Sequence, residues 1–168
     1  TAYIPGIADG QGDTAQFRRP YGLCLDNEGN ILVADEWNHK IRKITIEGMV
    51  STLLGSGDIG VINMPLNNAQ FHYPWDIAAD SIGNIFIGDG YNYVVRKFSV
   101  DGTLSTYAGV PLETGGADDI ANQATFSGVT ALAYNKTNHS IYVADAYNQL
   151  IRKIEPFNNT LDLINLSG

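Results

Sequence analysis

Residues 143–153 read VADAYNQLIRK and place an acid, two amides, a phenol and two cations in one short stretch. Such a set can move a proton, hold an ion, or close a turn over an ion pair. Other reactive side chains are sparse. Cys24 lies in GLCLD between apolar neighbours, which predicts a small buried hydrophobe rather than an activated thiolate. The 3 histidines, His39, His72 and His139, stand at different points of the chain and make no ligand triad. No Ser-His-Asp elbow, glycine-rich phosphate cradle or cysteine pair is present. The DGQGD run offers Asp9 and Asp13 to a calcium ion, without the ordered spacing and closing Glu of an EF-hand loop. Calcium is thus a weak candidate, and no other cofactor is expected.

The opening stretch is not unique. VADEWNHKIRK begins at Val33 and IGDGYNYVVRK at Ile87, each preceded by a similar run, AQFRRPYGLCLDNEGNILVAD and AQFHYPWDIAADSIGNIFIGD. ATFSGVTALAYNKTNHSIYVAD precedes the third copy. The period is about 54 residues, the range of propellers and solenoids. A residue set carried by every repeat serves something every repeat must do, so a structural role is expected for it.

Each repeat holds four short strand-like runs separated by turn residues: GLCLD, NILVAD, KIRKITI and VSTLLG in the first. Nothing has helical periodicity. Four antiparallel strands per repeat describe a propeller blade. The copies A-x-F-x-x-P, then GN-x-hydrophobic-VAD-x-x-N-x-x-IRK, then G-x-VSTLAG resemble the NHL repeat family over nearly the whole chain. The resemblance implies an all-β propeller, usually six-bladed, with the first strand of each blade nearest the axis. Two departures are local: Gly128-Val129 stands where the other copies carry Pro20 and Pro74, and NKTNHS is inserted in the third copy.

The expected division is a fourth strand of a preceding blade with its connection over 1–14, then blades with connections over 15–68 and 69–123, and a last blade over 124–168. TAYIPG matches STLLGSG and STYAGVP, which makes it an orphan strand, because LDLINL already serves the last blade. The arrangement predicts part of a longer propeller, or copies that assemble into an oligomer or filament by sharing exposed edges.

Within the blade, Asp35, Asp89 and Asp145 end the second strand, and Asn38, Asn92 and Asn148 follow three residues on. These short polar side chains suit a tight turn with left-handed backbone. Arg42, Arg96 and Arg152 lie on the third strand within reach of the aspartates. Trp37, Tyr91 and Tyr147 occupy the turn itself, on the face that in the family carries the inter-blade connections. Tyr21, Trp75 and Asp76 open the innermost strands near the same face. Together these six are the candidate binding residues, for a protein or a glycan. The connections add Asp58, Glu113, Asp118 and Asp119 to that face.

A formal charge of -8 argues against nucleic acid and anionic membrane surfaces as partners, and no apolar run is long enough to insert in a membrane. Asn135, Asn138, Asn158 and Asn165 each begin an N-glycosylation sequon in the last blade. They predict a secreted or cell-surface glycoprotein, with glycans on the face opposite the aromatic residues for at least the first three. The expected function is a non-catalytic extracellular binding or structural scaffold. Its alternative is part of a six-bladed hydrolase or lyase whose catalytic residues lie outside this stretch. An absence of enzyme activity in the segment itself is also expected.

Overall fold

The computed structural model describes residues 5–64 and 66–155 and the backbone of 161–164. The strand expected at residues 1–4, and the sequons at Asn158 and Asn165, lie outside them. Among the described residues thirteen strands form three antiparallel sheets. The first contains β2 (Pro20–Leu25), β3 (Ile31–Asp35), β4 (Lys40–Ile44) and β5 (Met49–Leu54) in that order, with the two-residue β1 (Gly10–Gln11) added outside β5. The second contains β6 (Pro74–Ala79), β7 (Ile85–Asp89), β8 (Val94–Phe98) and β9 (Leu104–Ala108). The third contains β10 (Val129–Tyr134), β11 (Ile141–Asp145), β12 (Leu150–Ile154) and β13 (Leu161–Ile164).

Each sheet is a blade, and the blades pack face to face rather than closing on themselves. The inner strands β2, β6 and β10 stand side by side, with β6 in the middle. Because blade two has a neighbour on each side, β7 is buried at every position instead of alternating. One core joins Leu32, Ala34, Ile41 and Leu54 of blade one to Ile77, Ile85, Ile87 and Leu104 of blade two. A second joins Phe86, Val95 and Ala108 to Val129, Leu132, Ile141 and Val143. The phenylalanine of the second and third motif copies, Phe71 in AQF and Phe126 in ATF, plugs these interfaces from the connection and is fully buried. Each ring also lies under an arginine, Arg96 at 5.3 Å and Arg152 at 4.8 Å.

The repeated acid, amide and arginine hold these connections in place. Arg42 Nη1 donates to Asp35 Oδ2 at 2.8 Å, Arg96 to Asp89 at 2.9 Å and Arg152 to Asp145 at 3.1 Å, and all six side chains are fully buried. Asn38, Asn92 and Asn148 each donate to the same carboxylate oxygen and to the carbonyl of Gly6, Gly60 or Gly115. Arginine Nη2 reaches the carbonyls of Ala8, Ile62 and Ala117. The arginine thus clamps the incoming connection onto the blade that follows it. Desolvating such a pair is tolerable only because nearly every donor and acceptor is matched.

The left-handed residue is not the asparagine, as the turn chemistry suggested. It is the next one, His39, Tyr93 or Gln149, at φ of 53°, 58° and 59°. The asparagine amide is occupied in the clamp, so a short 3-10 turn carries the strain one residue later. Among the described residues no helix is long and apolar enough to cross a membrane.

Candidate functional site

At the end of the inner strands that faces these turns lies a depression of 420 Å³. Five of the six candidate binding residues line it: Tyr21, Trp37, Trp75, Tyr91 and Tyr147. Trp75 packs edge-on to Tyr91, ring centroids 5.3 Å apart, and faces Tyr147 at 6.4 Å. Trp75 itself is nearly buried, whereas Tyr21, Trp37, Tyr91 and Tyr147 are 58%, 42%, 42% and 64% exposed, so their rings remain available to a ligand. The indole fits because residue 90 is glycine: a Cβ there would fall among the Trp75 ring carbons.

Asp76 is not in this cup. It follows Trp75, accepts the Leu132 amide at 2.7 Å, and lies where a Cβ on Gly22 would collide with it. It lines an adjoining depression along the inner strands together with Cys24. Burial raises the Asp76 carboxyl, and burial, aided by the charges of Asp76 and Asp26, pushes the Cys24 thiol up to about 12. Cys24 is only half buried, but at that value it is no nucleophile.

The sequence reading missed Glu36. It stands at the first residue of the turn, where blades two and three have Gly90 and Ala146. Its carboxylate is 2% exposed. Oε1 accepts from Arg19 Nη1 at 3.1 Å and from Trp75 Nε1 at 3.2 Å, and Oε2 has no partner. A buried carboxylate oxygen without a donor is costly and calls for an explanation. The available signal was the broken repeat: an acid at one copy of a position that is otherwise Gly or Ala.

Beside the cup His39, His72 and Tyr73 form a ring cluster, with His39 and His72 6.1 Å apart. The Tyr73 amide donates to His39 Nδ1 at 3.2 Å, so that nitrogen is unprotonated. Burial, then the charges of His72 and Arg18, lower His39; burial lowers His72. With both values depressed in the folded chain, the unfolded chain binds protons first as pH falls. Stability should therefore be full above the ordinary value of 6.5 and decline as pH falls through it toward the folded values. Thermal melts across this range would show the decline, and it should flatten in a His39→Asn, His72→Gln double variant.

The carboxylates proposed as calcium ligands do not converge. Asp9 pairs with Arg42 at 2.6 Å and accepts from Thr52, while Asp13 is exposed. Among the described residues no three His, Cys, Asp or Glu side chains are grouped to hold a metal.

Residues 17–44 match the family described as NHL repeat. The chain is 33% identical over 90 residues to a probable peptidyl-alpha-hydroxyglycine alpha-amidating lyase of Caenorhabditis elegans, covering 52% of this chain and 25% of the lyase. It is 27% identical over 174 residues to human teneurin-4, covering 95% of this chain and 6% of teneurin-4. A solved Bacteroides thetaiotaomicron protein of unknown function superposes with a TM-score of 0.74 at 27% identity, over 86% of this chain and 36% of its own. The chain therefore spans a small part of each relative's length. This similarity overturns the expectation that enzyme activity is absent, because it points to related propellers that are enzymes. That the three histidines do not form a ligand triad is no argument against catalysis, because an active site need not use histidine. Residues 17–44 thus match an NHL repeat, and two further copies of the same sequence pattern stand in register with it.

Proposed function

We propose that this chain supplies the substrate-binding wall of a larger propeller enzyme of the hydrolase or lyase class, with substrate seated in the aromatic cup. The observation that carries this is Glu36: a buried carboxylate, unique among the repeats, in the wall of a depression ringed by aromatic side chains, with one oxygen that has no hydrogen-bond partner. Arg19 and Trp75 hold its other oxygen, so the carboxylate is fixed in position before a ligand arrives. The similarity to an amidating lyase supports the reaction class. Assay of the full polypeptide that contains this segment, on α-hydroxyglycine peptides and on lactones, tests the reading. Glu36→Gln should lower kcat/KM by about tenfold or more; equal turnover by the variant and the parent would sink it.

We also propose that the protein works outside the cell and carries N-glycans. Asn135 and Asn138 sit in the hairpin between β10 and β11, at the opposite end of the blade from Tyr147, and Asn138 is exposed. Glycans there would leave the cup open. Enzymatic removal of N-glycans from protein taken from its native source should lower its mass, with the loss mapped to this hairpin; an unchanged mass refutes the idea.

A further inference from the structure

We propose that the cup takes an uncharged, polyhydroxylated ring, a carbohydrate; this rests on the reading of the cup as the substrate site and names the class of molecule it accepts. The first argument is charge. Arg19 neutralises Glu36 at 3.1 Å. Arg18 and Arg19 already lie over the Trp37 ring at 5.3 and 5.4 Å, and Arg19 over Tyr21 at 5.9 Å. A cationic ligand would meet these guanidinium groups on the same rings, so the cup is not a cage for quaternary ammonium. An anion could pair with Arg19 only by drawing it from the buried Glu36 carboxylate, which would then lack its cation. A neutral ligand meets neither penalty.

The second argument is hydrogen bonding. Glu36 Oε2 is an acceptor, buried and unpartnered, and needs a donor that brings no charge of its own. A hydroxyl group provides one. Tyr21, Tyr91 and Tyr147 add phenol groups able to donate or accept around the rim, and a molecule with several hydroxyls can use them together. The third argument is shape. Trp37, Trp75 and the tyrosines present apolar rings, against which the C–H face of a sugar ring packs while its hydroxyls point to the sides. The 420 Å³ volume lies in the range of small-molecule sites, about 300 to 1,000 Å³.

Trp37 and Trp75 are the 2 tryptophans of this sequence, and both line the cup, so the part of the emission that a Trp37→Phe, Trp75→Phe variant loses reports on this site. The test titrates the full polypeptide with glucose, galactose, mannose and N-acetylglucosamine at millimolar concentrations, and separately with choline and inorganic phosphate. At least one sugar should shift the emission saturably, with choline and phosphate inert. Glu36→Gln should weaken that sugar by about tenfold or more. Tyr147→Ala, at a side chain 64% exposed and so safe for folding, should weaken it as well. A saturable response to choline or phosphate alone overturns the carbohydrate assignment and leaves the cup as a binding site. Silence with every probe, or sugar binding untouched by both variants, overturns the assignment; silence combined with undiminished turnover by Glu36→Gln removes the cup reading too.

Discussion

Arg96→Ala should be the most damaging single substitution in the chain, lowering stability by about 3–5 kcal/mol. The side chain is fully buried, and its donors reach Asp89, Asn63 and the carbonyls of Ile62 and Gln70. Removing it strands a buried carboxylate at Asp89 and three connection acceptors in one step. Against a typical domain stability of about 5–15 kcal/mol, that is a large fraction of the whole. Urea unfolding would show a lower midpoint with little change in slope. Because the penalty comes from the stranded charge and not from the loss of a favourable pair, Asp89→Leu with Arg96→Met should recover much of the loss. An unchanged midpoint for Arg96→Ala would mean that the clamp does not hold the blade.

Gly90→Val is expected to have the largest effect on ligand binding from a residue that touches no ligand. The backbone at Gly90 is not in the left-handed region, so the substitution is not opposed by backbone conformation. The obstacle is the Trp75 indole, which occupies the space a Cβ would need. To admit valine, the indole must swing away from Glu36 Oε1 and from Tyr91, and the cup loses its floor. Overpacking of this kind costs about 1–3 kcal/mol, so the fold survives while the site does not. The variant should keep its far-ultraviolet circular dichroism, show a changed tryptophan emission maximum, and lose ligand response by about a hundredfold or more, in line with the loss of both a charged hydrogen bond and an aromatic contact. Wild-type titration behaviour in Gly90→Val would show that Trp75 is not part of the binding surface.

What could be read from the sequence was what the chain says three times. The blades, the aspartate, asparagine and arginine set, and the ring of turn aromatics all repeat, and repetition separates them from noise. Features that occur once were harder to see. Glu36 is a single acid in an otherwise neutral position, and its significance depends on Arg19 and Trp75, which arrive from the connection and from the next blade. Asp76 was misplaced for a different reason. Its place beside Trp75 at the start of the strand grouped it with the cup, whereas successive residues of a strand point to opposite faces, and the pairing of β6 with β7 also shifts between Pro74 and Asp76. Such a bulge re-aims the side chains beside it, so Trp75 enters the cup and Asp76 turns toward Leu132. The exposure of Cys24 escaped notice because GLCLD reads as buried strand, whereas β2 lies at the open side of blade one, with Leu23 and Leu25 66% and 63% exposed.

The arginine clamp also sets the boundaries of cooperative opening. Arg42, Arg96 and Arg152 each grip backbone that enters from the N-terminal side, at Ala8, Ile62 and Ala117. A blade cannot release its own third strand without also freeing that incoming segment. Amide hydrogens in the connection ahead of a blade should therefore exchange at the rate of the blade they lead into, not of the one they have just left. The unit that opens as one piece is offset from the sequence repeat: it begins in the linker, and cutting the chain at the first strand of a blade would split a foldon in two.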